Sequence, residues 1–214
     1  MKVIVFGATG MVGQGVLRES LLAADVQEVL VVTRRPTGVR HPKLREVMLA
    51  DFADLTPIRD ELAGFDACFY CLGVSSVGMD EAAYTVVSYD YPVAAARLLA
   101  GLNPGMTFIY VSGAGTDPAG RQMWARVKGR TEKAIIDLFP NGYAFRPGVI
   151  EPTHGATSRV GWYNTVYTIA APLLSLMHRI APRYITSTDR LGRAMLRVAR
   201  RGAADRIVRN ADLR

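Results

Sequence analysis

The stretch Gly7-Ala8-Thr9-Gly10-Met11-Val12-Gly13 decides the reading of this chain. It follows the apolar run Val3-Ile4-Val5-Phe6 and opens onto Met11, Val12, Val16, Leu17, Leu21 and Leu22, which share one face at helical spacing. A short, uninterrupted apolar run reads as a parallel strand buried on both faces, and glycine at every third position at its exit reads as a turn feeding a helix. Residues 28–32, Glu-Val-Leu-Val-Val, supply the next strand, so the chain begins with a βαβ unit. In such a turn Gly7 permits the tight bend, Gly10 lets a pyrophosphate approach the backbone, and Gly13 lets the helix pack closely on the strand. Thr9, Met11 and Val12 complete the cofactor-binding set, because the free amides of the first turn receive the anion.

The same alternation continues outward. Strands are expected at residues 45–49, 67–71, 107–111 and 143–146, with helices at about 57–62, 80–100 and 121–138. The economical fold is α/β: a Rossmann-like doubly wound parallel sheet with helices on both faces. Residues 1–214 are read as one domain in which 149–214 form a small C-terminal elaboration. That elaboration is expected to hold a helix at 162–177, another at 189–200 capped by Ser187 or Thr188, and an edge strand at 206–208.

The 214 residues, half of them hydrophobic, suffice for one substantial core and leave no chain for a second large domain. Lysine and arginine total 26 against 19 acidic residues, a net charge of +7. Lys2, Lys43, Lys128 and Lys133 are the only lysines. The excess is therefore arginine, widely spread apart from a denser stretch over 179–214, which suits a biased surface rather than a nucleic-acid arm. Cys68 and Cys71 sit in an apolar run as two buried thiols of a reducing compartment, and the expected location is cytoplasmic. His41 and His178 lack spaced ligand partners, so no metal site is expected. His154 is loop-borne and near the expected substrate mouth. The 162–177 segment, interrupted by Asn164 and Pro172, falls short of a membrane span.

At the end of the second strand stand Thr33, Arg34 and Arg35, with no acidic residue for the ribose hydroxyls of NAD. Guanidinium forks suit a 2′-phosphate, so NADP is expected over NAD. Asp51 is expected near the adenine edge with Phe52 packing beside it. Cys71, Leu72 and Gly73 end the fourth strand on the side of the nicotinamide ribose.

Ser112 follows the fifth strand, and Trp124 and Lys128 lie one helical turn apart on a single face. With the glycine turn, the segments CLG, YVSGAG, WARVKG and FRPG resemble the short-chain dehydrogenase/reductase superfamily. The likeness is to its atypical NAD(P)-binding, epimerase/dehydratase-like group, close to bacterial TIP30-like oxidoreductases. The resemblance implies that Ser112 steadies a substrate oxygen and Lys128 contacts the nicotinamide ribose, and that Pro147 and Gly148 of FRPG approach the nicotinamide amide. It also implies a tyrosine where this chain has Trp124, whose indole N–H has no acid/base cycle near neutral pH. Tyr84, Tyr89, Tyr91, Tyr110 and Tyr163 all lack the four-residue relation to Lys128.

The expected function is that of an NADP-binding oxidoreductase passing a hydride to a small carbonyl substrate, with a homodimer implied by the resemblance. The alternatives are a noncatalytic NADP-binding regulatory or interaction protein and a dinucleotide-dependent epimerase or dehydratase. Nucleic acid is disfavoured as a partner.

Overall fold

The computed structural model describes residues 1–156 and 184–213. The expected helix at 162–177, with Tyr163, and His178 lie outside the described residues. The elements in order are β1 (Lys2–Phe6), α1 (Met11–Leu22), β2 (Glu28–Thr33), β3 (Leu44–Met48), a 3₁₀ turn (Thr56–Leu62) and β4 (Ala67–Tyr70). Then come α2 (Glu81–Thr85), a π-helical turn (Val86–Asp90), α3 (Tyr91–Leu102), β5 (Thr107–Val111), α4 (Met123–Leu138) and β6 (Asn141–Arg146). After these follow β7 (Val149–Glu151), β8 (Ile185–Ser187), α5 (Thr188–Arg201) and β9 (Ile207–Arg209).

Seven strands form one sheet in the order β3-β2-β1-β4-β5-β6-β9, and every pairing is parallel. The strand order reverses between β1 and β4, the switch point where open α/β sheets bind ligands beyond the carboxyl ends of their strands. Because all the strands run the same way, the segments leaving β1, β2, β4, β5 and β6 all emerge at one edge.

Strand alternation divides the core. Val3, Val5, Val31, Phe69 and Phe145 meet Val16 and Leu17 of α1 and Leu191 and Met195 of α5. Ile4, Phe6, Val32, Tyr70 and Phe108 meet Ala96 and Leu99 of α3 and Ile135 of α4. Helices on both faces thus explain why the strands read as unbroken apolar runs. Helices α1 and α5 touch through glycine: a Cβ on Gly15 would lie 2.5 Å from the Thr188 Cβ.

Three features differ from the sequence expectation. The long helix at 80–100 is broken by the π-helical turn, because Pro92 has no N–H to give the Ser88 carbonyl in α-helical fashion. That carbonyl instead accepts from Tyr110 Oη at 3.3 Å and lies 2.7 Å from Thr131 Oγ1, tying the helix to β5 and α4. The segment near 57–62 winds as a 3₁₀ turn. Beyond β6, β7 and β8 pair as a two-stranded parallel sheet, which hydrophobic patterning did not signal. Ser187 occupies the N-cap position of α5, and β9 is the edge strand expected near 206–208.

Candidate functional site

Gly7 has φ +79°, a conformation that favours glycine, and a Cβ there would lie 2.5 Å from the Leu72 nitrogen where the chain leaves β4. A Cβ on Gly13 would lie 2.1 Å from the Gly7 carbonyl oxygen, so α1 approaches β1 only through this glycine. Gly10 differs from both. Its φ of −86° suits any residue, and a Cβ there would meet nothing nearer than the Gly7 oxygen at 3.4 Å. The fold makes no demand for glycine at position 10, and the bare backbone faces the start of a helix whose first N–H groups have no intrahelical acceptor.

Beside this turn, one cleft is lined by Gly7, Thr9, Val32, Thr33, Arg34, Arg35, Phe52 and Leu72. Residues from four separate segments therefore meet at the carboxyl edge next to the switch point. Thr33 was not singled out from sequence. Its hydroxyl donates to the Arg35 carbonyl at 2.8 Å and bends the chain after β2. Arg34 and Arg35 line the cleft, and their side chains make no ion pair with a described residue. Phe52 is buried with its ring 6.2 Å from that of Phe6, edge to face. Asp51 is exposed, lies outside the lining of the cleft, and accepts from the Ala53 N–H at 2.9 Å. Met11 and Val12 begin α1. The Cys71 N–H donates to the Phe6 carbonyl at 3.0 Å, and Gly73 has open space around it. The residue types suit a dinucleotide: a glycine cradle at a helix start, an aromatic wall, and two cations at the end of β2 that pair with no described residue.

A second cluster stands at the ends of β5 and β6. Helix α4 presents Trp124, Lys128 and Glu132 at intervals of four, on one stripe. The Lys128 ammonium donates to the Ser112 carbonyl at 2.5 Å. The Ser112 hydroxyl donates to Glu132 Oε1 at 2.5 Å, with the Phe145 carbonyl 3.0 Å away. Arg146 forks onto the same carboxylate, Nε to Oε1 at 2.9 Å and Nη2 to Oε2 at 2.5 Å. Ser112 is 6% exposed and Glu132 3% exposed, so this is a buried network. Its single carboxylate is satisfied by a hydroxyl and a bidentate guanidinium, the arrangement that makes a buried charge tolerable. Burial pulls the Lys128 pKa down to about 8, partly opposed by the nearby Glu132 charge. Hydrogen bonding to Glu132 pushes Arg146 in the other direction.

The Trp124 ring lies against the glycine loop after β5, where a Cβ on Gly115 would stand 3.4 Å from its edge, and its indole N–H donates to no described residue. The Pro147 carbonyl accepts from the Ala114 N–H at 2.8 Å, and the Gly148 N–H donates to Asn210 Oδ1 at 2.9 Å. The FRPG turn is thereby fastened to the β5 loop and to the C-terminal segment. His154 adopts φ +54° and lines a separate cleft with Gln14, Arg18, Thr153 and Asp189. Tyr84 and Tyr110 are buried, with pKa values raised by burial, which suits packing. Among the described residues no His, Cys, Asp or Glu cluster suits a metal, and no helix is long and apolar enough to cross a membrane. Glu132 was missed from sequence. Its four-residue interval from Lys128 was visible, but its burial was not.

A model of the NAD-dependent epimerase/dehydratase family matches residues 3–126. The chain is 27% identical over 140 residues to leucinostatins biosynthesis cluster protein T of Purpureocillium lilacinum, covering 63% of this chain and 51% of that protein. It therefore spans about half the length of that relative. It is 28% identical over 155 residues to protein FMP52-1, mitochondrial, of Scheffersomyces stipitis, covering 70% of this chain and 67% of that protein. In structure it resembles the dTDP-glucose 4,6-dehydratase DesIV of Streptomyces venezuelae, solved with NAD and TYD bound. The TM-score is 0.72 at 16% identity, over 97% of this chain and 74% of that one. WbmF of Bordetella bronchiseptica in complex with NAD⁺ gives a TM-score of 0.71 at 16% identity, over 99% and 76%. At these identities the solved structures speak to the fold alone.

Proposed function

We propose a function from one premise: this chain belongs to the NAD-dependent epimerase/dehydratase family. It binds NADP(H) at the Gly7–Gly13 turn and acts as an oxidoreductase on a small carbonyl compound. The observation that carries the cofactor reading is the pair Arg34 and Arg35, which make no ion pair with a described residue and line one cleft with Gly7 and Thr9. The amides of Met11 and Val12 receive the pyrophosphate, Phe52 packs against the adenine side, and the guanidinium groups take the 2′-phosphate. Bound there, the dinucleotide supplies a hydride for a carbonyl carbon. Lys128 holds the ribose hydroxyls and carries, at Nζ, the proton that the substrate oxygen needs. With its pKa near 8, that ammonium is poised for transfer close to neutrality in a way Trp124 is not. The two free thiols, Cys68 buried and Cys71 partly buried, suit a reducing, cytoplasmic setting, and pairing of two copies through the α3 and α4 faces belongs to the same reading.

Dissociation constants test the cofactor assignment. NADPH is expected to bind at least tenfold more tightly than NADH, a difference of about 1.4 kcal/mol. Replacing both arginines (Arg34→Ser with Arg35→Ser) should remove that margin and leave NADH unchanged. Equal affinities in the unaltered protein, or tighter NADH, would sink the assignment.

A second reading, a noncatalytic NADP(H)-responsive protein, is favoured by one observation. The Ser112 hydroxyl is already committed to Glu132, and Trp124 offers no phenol. NADPH oxidation against a panel of aldehydes, ketones and quinones separates the two. Oxidoreductase function predicts measurable turnover that rises about 100-fold in Trp124→Tyr, the scale of a restored general acid. Tight NADPH binding without turnover on any member of the panel selects the regulatory reading.

A further inference from the structure

We infer that Glu132 is the positioning residue of this site: it clamps Ser112 and Arg146 so that the end of β5 presents the main-chain carbonyl that holds the Lys128 ammonium. The inference rests on the reading that Lys128 serves the cofactor, and it assigns a role to a residue outside the Ser–Trp–Lys set.

The geometry runs through one residue. Ser112 gives its hydroxyl to Glu132 and its carbonyl to Lys128, so Glu132 and Lys128, neighbours on α4, grip the same residue of the facing strand end from its two sides. Arg146 comes from β6 and closes the other half of the carboxylate. Two cations thus converge near one buried anion, and the division between them is unequal. Arg146 takes the carboxylate bidentately, while Lys128 is left with a carbonyl and makes no ion pair with a described residue. A carbonyl satisfies one of three ammonium protons, so the remaining donors are available to hydroxyl groups of a ligand. Had the carboxylate bonded Lys128 directly, the ammonium would be turned back along α4 and held in an internal ion pair.

Among the described residues, the charged and titratable groups around this point are few. Glu132 lies on the same helix, Arg146 on β6, and Asp117 in the loop after β5, where it acts on Arg146. Tyr110 on β5 and Tyr84 on α2 belong to the same surroundings, and Tyr110 is also acted on by Glu132. Of these, Glu132 is the group that favours the charged form of Lys128, against the opposing effect of burial.

Four lysines in the chain make a direct test practicable. Full-length protein labelled with ¹³C at lysine Cε gives four signals, and Lys128→Arg identifies the one of interest. Without cofactor, Lys128 is expected to titrate at about 8. Glu132→Gln should lower that midpoint by about one pH unit, because a neighbouring negative charge favours the ammonium. Arg146→Met should raise it by a similar amount, about one unit, because the carboxylate is then left to Lys128 alone. Glu132→Asp keeps the charge and is expected to restore the midpoint of the unaltered protein. The opposite directions keep the test decisive should Glu132→Gln fail to fold, since Arg146→Met must then raise the midpoint on its own. Unmoved titration of Lys128 in the folded variants overturns the inference. NADPH titrations on the same samples test the underlying reading separately. Affinity that follows the Lys128 midpoint supports both. A shifted midpoint with unchanged NADPH affinity upholds the role of Glu132 and overturns the contact between Lys128 and the cofactor.

Discussion

Gly13→Ala is expected to lose about 3 kcal/mol of stability and all measurable cofactor binding. The added Cβ would lie 2.1 Å from the Gly7 oxygen, 2.6 Å from the Gly7 carbonyl carbon and 2.8 Å from the Ala8 Cα. All three are backbone atoms, so no side chain can swing aside. Relief requires the first turn of α1 to move off β1, and α1 carries Val16, Leu17 and Leu21 in the core. Overpacking of this kind costs roughly 1–3 kcal/mol and more where the backbone must move. The better helix propensity of alanine returns at most about 1 kcal/mol. In a domain of this size the net loss is a fall in Tm of roughly 6–12 °C. Gly10→Ala is the control. Its backbone suits alanine and its Cβ would find room within the fold, so stability should stay within about 0.5 kcal/mol of the unaltered protein. NADPH affinity should nonetheless fall about tenfold or more, because the methyl group occupies the approach to the helix amides. Unchanged NADPH affinity in Gly10→Ala, measured on folded protein, would remove the dinucleotide from this turn.

That contrast also shows which parts of the molecule were legible in the sequence. Gly7 and Gly13 are required by contacts a few residues away or by the adjacent strand end, so local pattern reveals them. The strands at Val3–Phe6 and Thr107–Val111 were legible because a sheet covered on both faces needs apolar residues at successive positions. The cleft residues Arg34, Phe52 and Leu72 follow from the same logic, since parallel strands deliver their exits to one edge. The π-helical turn was not legible. Pro92 signals a missing donor, but the groups that satisfy the Ser88 carbonyl, Tyr110 and Thr131, come from distant parts of the chain. Strands β7 and β8 are three residues each and pair across a long separation, too short to carry a period. Glu132 escaped because an acidic residue on an amphipathic helix reads as solvent-facing, and only the joint arrival of Ser112 and Arg146 makes its burial tolerable. Arg146 was legible as part of a turn and not as half of an ion pair, for the same reason.

Lys128→Met should make the protein more stable at neutral pH while weakening its hold on NADPH. The fold places the ammonium where its pKa falls to about 8, against roughly 10.4 for a free lysine. At about 1.4 kcal/mol per pH unit the cost of enclosing the charge reaches about 3 kcal/mol, and partial contact with solvent reduces it to roughly 1–2 kcal/mol. The sign follows from proton counting. Between about pH 8 and about 10.4 the unfolded chain holds the Lys128 proton and the folded chain has released it, so this group makes stability rise with pH across that window. Below pH 8 both states are protonated and the full cost remains. Cys68 and Cys71 work the other way: burial raises the first well above its ordinary value and pushes the second up to about 12. The unfolded chain therefore loses thiol protons first, and stability falls as pH rises past about 8.5. Comparing Lys128→Met with the unaltered protein cancels the thiols, which both carry. The methionine variant should be more stable by roughly 1–2 kcal/mol at pH 7, and the gap should close as pH approaches about 10. Denaturant unfolding at pH 7 and pH 9.5 measures it. The same substitution removes the donors offered to the ribose, and NADPH affinity should fall about tenfold, or 1.4 kcal/mol. A residue that costs stability and returns affinity belongs to a site. If Lys128→Met is less stable than the parent at pH 7, the ammonium is a structural tie for the Ser112 carbonyl, and its place in the cofactor site loses its physical basis.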